Sequence, residues 1–178
     1  MSHTNNFIFK GLRVAAWIIF VGLCIEAGAL IVNFFFSLYN PEFVGKLYQK
    51  LDLSYLYVRS NWVFFGMYSY IISIAVLKAV LFYVIIKLVT EINLVKPFNE
   101  VVPKQILKIS YYTLSIGLIS YLARQTVQNL GHRGFSLDML DEFWVDSPAF
   151  VLMAGIVYVI GIIFSRGVEI QNENELTV

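Results

Sequence analysis

Residues 14–38 read VAAWIIFVGLCIEAGALIVNFFFSL, an apolar stretch in which Glu26 is the single charged residue. A helix needs roughly 20 residues to cross the ~30 Å hydrocarbon core of a bilayer. Three further apolar stretches of comparable length lie at residues 62–88, 106–126 and 149–165. Backbone groups in lipid must be satisfied within the membrane, and no stretch alternates with the period of two that a membrane barrel needs. We therefore predict four transmembrane helices.

The composition of the whole chain agrees with this prediction. Of its 178 residues, 58% are hydrophobic and 14% are charged, and 13 Lys and Arg against 12 Asp and Glu give a net charge of +1. Soluble domains are closer to 45–50% apolar and about 25% charged. These proportions exclude an ordinary soluble domain, a disordered chain and a basic protein that binds nucleic acid directly. We predict one domain over residues 1–178, an all-α four-helix bundle embedded in the lipid bilayer.

The gaps between the spans carry signals for helix starts. Asn99, which follows Pro97-Phe98, is expected to cap the third span, with Pro103 near its first turn. Ser147-Pro148 is expected to cap the fourth span in the same way. After Asn40-Pro41-Glu42, apolar residues recur every four positions through Tyr55, which predicts a short amphipathic helix on the membrane surface.

The loop before the fourth span predicts a second short interfacial helix, over residues 137–145. Its acidic residues are Asp138, Asp141, Glu142 and Asp146. These carboxylates could bind a cation, but their spacing favours the solvated side of a helix. Its apolar residues are expected to face the bilayer: Leu137, Met139, Leu140 and Trp144.

Basic residues near the span ends favour an orientation with both termini in the cytoplasm. In that orientation the inner side holds seven of the 13 Lys and Arg residues and the outer side five, with Lys78 inside a span. Ala27-Gly28-Ala29 resembles a signal-peptide cleavage site, but the apolar run continues beyond it, so we expect an uncleaved first span. Three tryptophans are expected to anchor the helices at the two interfaces: Trp17, Trp62 and Trp144.

Two ionisable residues, Glu26 and Lys78, lie deep in the first and second spans. At about 1.5 Å per residue, adjacent antiparallel helices would bring them to a similar depth. We predict a buried ion pair that fixes the register of the two helices. A proton or ion relay, a docking point for a charged ligand, snorkelling of Lys78 and contact with a partner protein stay open.

The third span carries a polar stripe at three- and four-residue steps: Ser110, Thr113, Gly117, Tyr121 and Arg124. Because small and hydroxylated residues let membrane helices approach and hydrogen-bond, we predict helix packing here in preference to a conduction path. Glycines of the first and fourth spans are expected to act likewise: Gly22, Gly28, Gly155 and Gly161.

The sequence contains no motif for catalysis or for a cofactor. Cys24 is the single cysteine, so no intramolecular disulfide or thiolate metal cluster can form. His3 and His132 have no partner at ligand spacing, and neither a phosphate-binding glycine loop nor a nucleophile motif is present. We expect a protein that is not an enzyme and that has no cofactor or metal.

The C-terminal segment, FSRGVEIQNENELTV at residues 164–178, is the most specific part of the chain. It resembles the C-terminal signature of a bacterial membrane family known as domain of unknown function 2975. Members of that family close with an aromatic, a basic residue and Gly, then an acid, Gln, a run of acids and Asn, and a final Leu-Thr-Val. Pro97-Phe98-Asn99 is similar to the family's motif between spans. The resemblance implies a small four-helix protein of the bacterial cytoplasmic (inner) membrane with no assigned activity, often encoded beside a helix-turn-helix regulator.

The same tail has the chemistry of an interaction element, and its candidate residues are Arg166, Gly167, Glu169, Gln171, Glu173 and Glu175. Gly167 either ends the fourth helix or lies within it. The acids could meet a basic partner or the chain's own Lys96, Lys104 and Lys108, or they could form a solvated tail. We predict a regulatory or interaction module whose loop 89–105 and tail contact a regulator, another membrane subunit or a second copy of the chain. The alternative is an oligomeric small transporter or ion pathway that uses Glu26 and Lys78.

Overall fold

The computed structural model describes residues 3–39, 53–92 and 99–176, and those residues form helices and no strands. Two short elements lie in the connections: helix α2 (Ser54–Arg59) and a 3-10 helix (Asp138–Phe143). The four long helices are α1 (His3–Tyr39), α3 (Asn61–Glu91), α4 (Val101–Gly131) and α5 (Ser147–Leu176). The predicted all-α class with four long apolar helices is confirmed.

The four long helices are long and apolar enough to cross a membrane, so the chain is a multi-pass membrane protein. The candidate spans are Phe9–Tyr39, Asn61–Glu91, Val101–Gly131 and Met139–Glu173, and each contains one predicted span. A helix of 31 residues, such as α3, is about 46 Å long, which exceeds the ~30 Å hydrocarbon core. The helix ends therefore reach the interfacial layers.

Each long helix packs against its neighbour in the chain. Helix α1 contacts α3, α3 contacts α4, and α4 contacts α5, whereas α1 and α5 share no extensive contact in the described part of the chain. Ring contacts of Phe20 with Tyr83 and of Phe34 with Phe65 show that α1 and α3 are antiparallel. The termini lie at one end of the bundle, here called the terminal end. The other end, with α2 and the 3-10 helix, is called the distal end.

The best-packed part of the core lies in the distal half of α1 and α3. Tyr68 is fully buried and stacks on Phe34, with 5.4 Å between ring centroids. Its hydroxyl donates a hydrogen bond of 3.1 Å to the carbonyl of Leu30, so the buried phenol is satisfied. Phe64 packs beside Tyr68 and contacts Tyr57 of α2.

The prediction that the apolar side of a helix over residues 137–145 faces the bilayer is wrong. Leu137, Leu140 and Trp144 are buried in the core, and only Met139 of the predicted apolar set is exposed. The segment covers the distal ends of the long helices, because burial there removes more apolar surface from water than an interfacial position would. Trp144 is consequently not an interfacial anchor.

Trp17 and Trp62 are exposed on α1 and α3, as anchors at an interface would be. The surface helix predicted through Tyr55 falls mainly on residues 40–52, which lie outside the described residues. The part of the chain that follows forms α2.

The predicted start of the third span is confirmed. Asn99 Oδ1 accepts hydrogen bonds of 3.0 Å from the backbone N–H groups of Val101 and Val102, and Pro103 lies in the first turn of α4. Helix α5 begins at Ser147, as predicted, but the Ser147 hydroxyl donates to the carbonyl of Val145 at 3.5 Å instead of capping a helix N–H.

Candidate functional site

Glu26 and Lys78 are both half-buried, and they do not form the predicted ion pair in this structure. Counted from the ring contact of Phe20 with Tyr83, Glu26 lies about 9 Å along α1 and Lys78 about 7.5 Å along α3, both toward the distal end. No N···O contact within 4.0 Å joins either residue to another described residue.

Helix rotation explains why the two charges do not meet. The groove between α1 and α3 is lined by Ala27 and Gly28 on one side and by Ala79 and Val80 on the other. Glu26 precedes Ala27 and Lys78 precedes Ala79, so each side chain points about 100° away from its neighbour around its helix. Both charges consequently lie beside the line of contact.

The polar stripe of α4 divides into a packed part and an exposed part. The Ser110 hydroxyl donates to the carbonyl of Ala154 on α5 at 2.9 Å. A Cβ added at Gly117 would lie 3.2 Å from Phe150 Cβ and 3.2 Å from Val151 Cγ2. Thr113 is buried, with its hydroxyl bonded to its own helix at Ile109. Ser110 and Gly117 therefore contact α5, and Thr113 is buried between them on the same helix.

Tyr121 and Arg124 are exposed, so the distal part of the stripe does not serve helix packing. Among the other glycines, Gly161 lies against Leu107, whose Cδ2 would be 2.8 Å from an added Cβ. The remaining three have open space where a side chain would be and do not mediate a close helix contact: Gly22, Gly28 and Gly155.

The tail is helical. Helix α5 runs through Gly167 to Leu176, which decides between the two possibilities for that glycine. The guanidinium of Arg166 lies 2.6 Å from a carboxylate oxygen of Glu169. Val168 is buried, whereas Glu169 and Glu173 are exposed.

The lysines predicted as possible partners of the tail differ in their surroundings. Lys104 pairs with Glu100 of its own helix at 3.5 Å, and Lys108 is exposed. Gln171 is half-buried, whereas Lys96 and the side chain of Glu175 lie outside the described residues.

Glu91, the last residue of α3, has a partner for only one of its two carboxylate oxygens. One oxygen of Glu91 lies 3.8 Å from Lys87 Nζ, and the other is buried without a hydrogen bond. Glu91 belongs to the predicted contact loop 89–105, of which residues 93–98 lie outside the described part.

The distal end carries a contact that sequence reasoning missed. The guanidinium of Arg59 donates to the carbonyls of Gly134 and Arg133, the latter at 3.1 Å, and lies 4.2 Å from the centre of the Phe135 ring. Gly134 has a φ of 80°, a backbone conformation that favours glycine. This contact, here called the Arg59 clasp, joins α2 to the loop after α4. A glycine two residues after His132 signals the turn, but nothing in the sequence identifies its partner.

Beside the clasp lies a cavity of about 490 Å³, here called the distal pocket. Its walls come from α4 and from the segment around the 3-10 helix: Arg124, Val127, Gln128, Gly131, Phe135, Leu137 and Asp141. Arg124 and Asp141 are exposed, and no hydrogen bond or ion pair joins the side chain of either to another described residue. The pocket thus presents one cation and one anion.

Two further observations concern metal ligands and similarity to known proteins. Within residues 3–39, 53–92 and 99–176, no group of three or more His, Cys, Asp or Glu side chains is placed to hold a metal ion. Comparison with protein-family models, curated proteins and solved structures finds no match for this chain. The likeness to domain of unknown function 2975 therefore rests on the tail and on Pro97-Phe98-Asn99.

Proposed function

We propose that this protein is a non-enzymatic interaction module of the bacterial cytoplasmic membrane, with both termini in the cytoplasm, and that its acidic helical tail binds a basic partner. The observation that carries the proposal is the unbroken course of α5 from the membrane span into the tail. The excess of basic residues near the terminal end and the resemblance of the tail to the family signature also support it.

The tail extends beyond the start of α4. Helix α5 meets α4 where Gly161 packs on Leu107, and from there α5 continues about 22 Å to Leu176. Helix α4 continues only about 9 Å from Leu107 to its first residue, Val101. The last 13 Å or so of α5 therefore project past α4. In agreement, Val168 is the final buried residue among those described in α5.

The charges of the projecting segment favour a cationic partner. Glu169 and Glu173 are four residues apart on one helix face, and Glu169 pairs with Arg166. Acids near a helix C-terminus also oppose the macrodipole, and the last turn of α5 contains no basic residue. Ile170 is 58% exposed beside them. A basic surface with an apolar contact would complement the exposed acids and the macrodipole and would cover Ile170, which fits a helix-turn-helix regulator or a basic loop of another membrane subunit.

Site-specific photo-crosslinking in intact membranes tests the proposal. A crosslinker at Ile170 of the full-length protein is expected to capture a basic partner, whereas a crosslinker at the equally exposed Ile163 of the span is not. The double variant Glu169→Gln, Glu173→Gln is expected to lose most of that product. Glu142→Gln removes an acid at the distal end and is expected to leave the product unchanged. An undiminished product in the double variant would contradict a role for the tail.

A second candidate function is an oligomeric transporter or ion pathway that uses Glu26 and Lys78. The observation that favours it is that both residues are half-buried in the spans and unpaired among the described residues. Charges in hydrocarbon are costly unless they meet a partner or water. In liposomes that contain the protein, Glu26→Gln and Lys78→Met are expected to abolish any ion flux, with Glu142→Gln as the control. Flux that persists in both variants excludes this pathway.

A further inference from the structure

The distal pocket combines groups that recognise opposite charges. Arg124 of α4 and Asp141 of the 3-10 helix both line it. A guanidinium binds phosphate or carboxylate through parallel N–H donors, and a carboxylate accepts hydrogen bonds from an ammonium group. Because the two side chains share one cavity without pairing to each other, both remain available to a ligand.

The rest of the lining fits a small molecule with a short polar group. A cavity of about 490 Å³ lies within the range of small-molecule sites, which is roughly 300–1,000 Å³. Gln128 adds an amide that can both donate and accept. Val127, Phe135 and Leu137 supply apolar walls.

The pocket is built on a fixed frame. Phe135 carries the guanidinium of Arg59 over its ring, and the carbonyls of Arg133 and Gly134 accept hydrogen bonds from the same group. Leu137, two residues after Phe135 in the chain, is buried in the core. A frame held in this way lowers the ordering cost of binding.

The pocket lies near the level at which α5 begins. Gly117 of α4 contacts Val151 of α5, and Val151 lies about 6 Å from the first residue of α5. Arg124 lies about 10 Å from Gly117 along α4, toward the distal end. The pocket is therefore about 4 Å beyond the first residue of α5. Both a lipid headgroup and a soluble molecule can reach that level.

We infer that the distal pocket binds a zwitterion that carries one phosphate or carboxylate and one primary ammonium group. Arg124 binds the anionic group, and Asp141 accepts N–H hydrogen bonds from the ammonium. The ligand is either the headgroup of an aminophospholipid or a free small amino compound of the same chemistry. This assignment does not depend on the function proposed for the tail.

The test uses the full-length protein and two probes. Calorimetry in a non-ionic detergent measures binding of soluble O-phosphoethanolamine. Native mass spectrometry measures retention of phosphatidylethanolamine against phosphatidylglycerol. Arg124→Gln and Asp141→Asn are each expected to weaken binding of the effective probe at least about tenfold, because each removes a charge-assisted hydrogen bond.

Matched controls come from the same part of the molecule. Arg133→Gln and Glu142→Gln change exposed charges outside the pocket lining and are expected to alter binding less than about threefold. Glycerol phosphate, which lacks an ammonium, is expected to bind at least about tenfold more weakly than O-phosphoethanolamine. Unchanged thermal unfolding midpoints of the two pocket variants show that the fold is intact.

The outcomes separate the possibilities. Binding of the soluble probe identifies a free zwitterion as the ligand, and selective retention of the lipid identifies a headgroup; either result, lost in both pocket variants, supports the assignment. Failure of both probes to bind overturns it. Equal binding of glycerol phosphate, or binding kept in Asp141→Asn, also overturns it, because the ammonium would then have no role.

Discussion

Three buried hydroxyl groups lie on one side of α4 but differ in their hydrogen bonding. Ser110 donates across to α5, and Thr113 donates back to its own helix. The hydroxyl of Ser120 is buried without a hydrogen bond in the described structure. A buried polar group without a partner costs free energy, whereas one with a partner contributes modestly. The three residues therefore differ in energy, although their burial is similar.

Replacing the two serines with alanine should reveal this difference. Ser110→Ala is expected to lower the free energy of unfolding by about 0.5–1.5 kcal/mol, because it removes the bond to α5. Ser120→Ala is expected to be neutral or stabilising, since it removes an unsatisfied group. The measurement is equilibrium unfolding of both variants in the same detergent. Equal losses of stability would show that Ser120 also has a partner.

The pair of helices α4 and α5 shows the closest packing of elements in the molecule. Gly117 faces Phe150 Cβ and the Val151 backbone N, at 3.2 and 3.3 Å from the position of an added Cβ. Neither of these atoms can move without the α5 backbone. The two helices can therefore approach this closely only because residue 117 has no side chain.

A bulky residue at this contact should separate the helices. Gly117→Leu is expected to destabilise the protein by about 2 kcal/mol or more, as overpacking of a tight contact does. Gly155→Leu is the matched control on α5, since nothing lies within 4 Å of a Cβ there and the side chain would enter lipid. Thermal unfolding in detergent compares the two variants. A loss of stability in Gly155→Leu as large as in Gly117→Leu would contradict the assigned contact.

At the scale of the whole molecule, the helices form a series of neighbouring contacts from α1 to α5. Since α1 and α5 share no extensive contact among the described residues, the distal connections add contacts to those between neighbouring helices. The Arg59 clasp joins residues that are 74 and 75 positions apart in the chain. The buried 3-10 segment adds Leu140 and Trp144 to the same core.

Loss of the clasp should loosen the distal end while the spans persist. Arg59→Gln is expected to cost about 1–2 kcal/mol, because it removes two charge-assisted hydrogen bonds and a cation–π contact at an exposed site. Hydrogen exchange should increase in residues 131–143 and not in the centres of α3 and α4. Arg133→Gln, which alters a side chain outside the clasp, serves as the control. Unchanged exchange in Arg59→Gln would show that the clasp does not hold the loop.

The accuracy of prediction from sequence depended on the range of the interaction. The cap at Asn99 and the position of Pro103 were predictable because they depend on neighbours in the chain. The inward direction of Trp144 was not, because an amphipathic pattern shows that one side is apolar and does not show which surface covers it. For Glu26 and Lys78, residue counting gave positions along the two helix axes but gave no rotation about those axes.

The class of this protein, the number and extent of its membrane helices and the acidic character of its tail can all be read from the amino-acid order. These properties follow from the transfer of apolar residues to lipid and from the need to satisfy the backbone locally. The folded structure was required to show which helix faces meet, that Glu26 and Lys78 do not pair, and that Arg124 and Asp141 share a pocket. Contacts between helices depend on shape and rotation, which residues distant in the chain determine together.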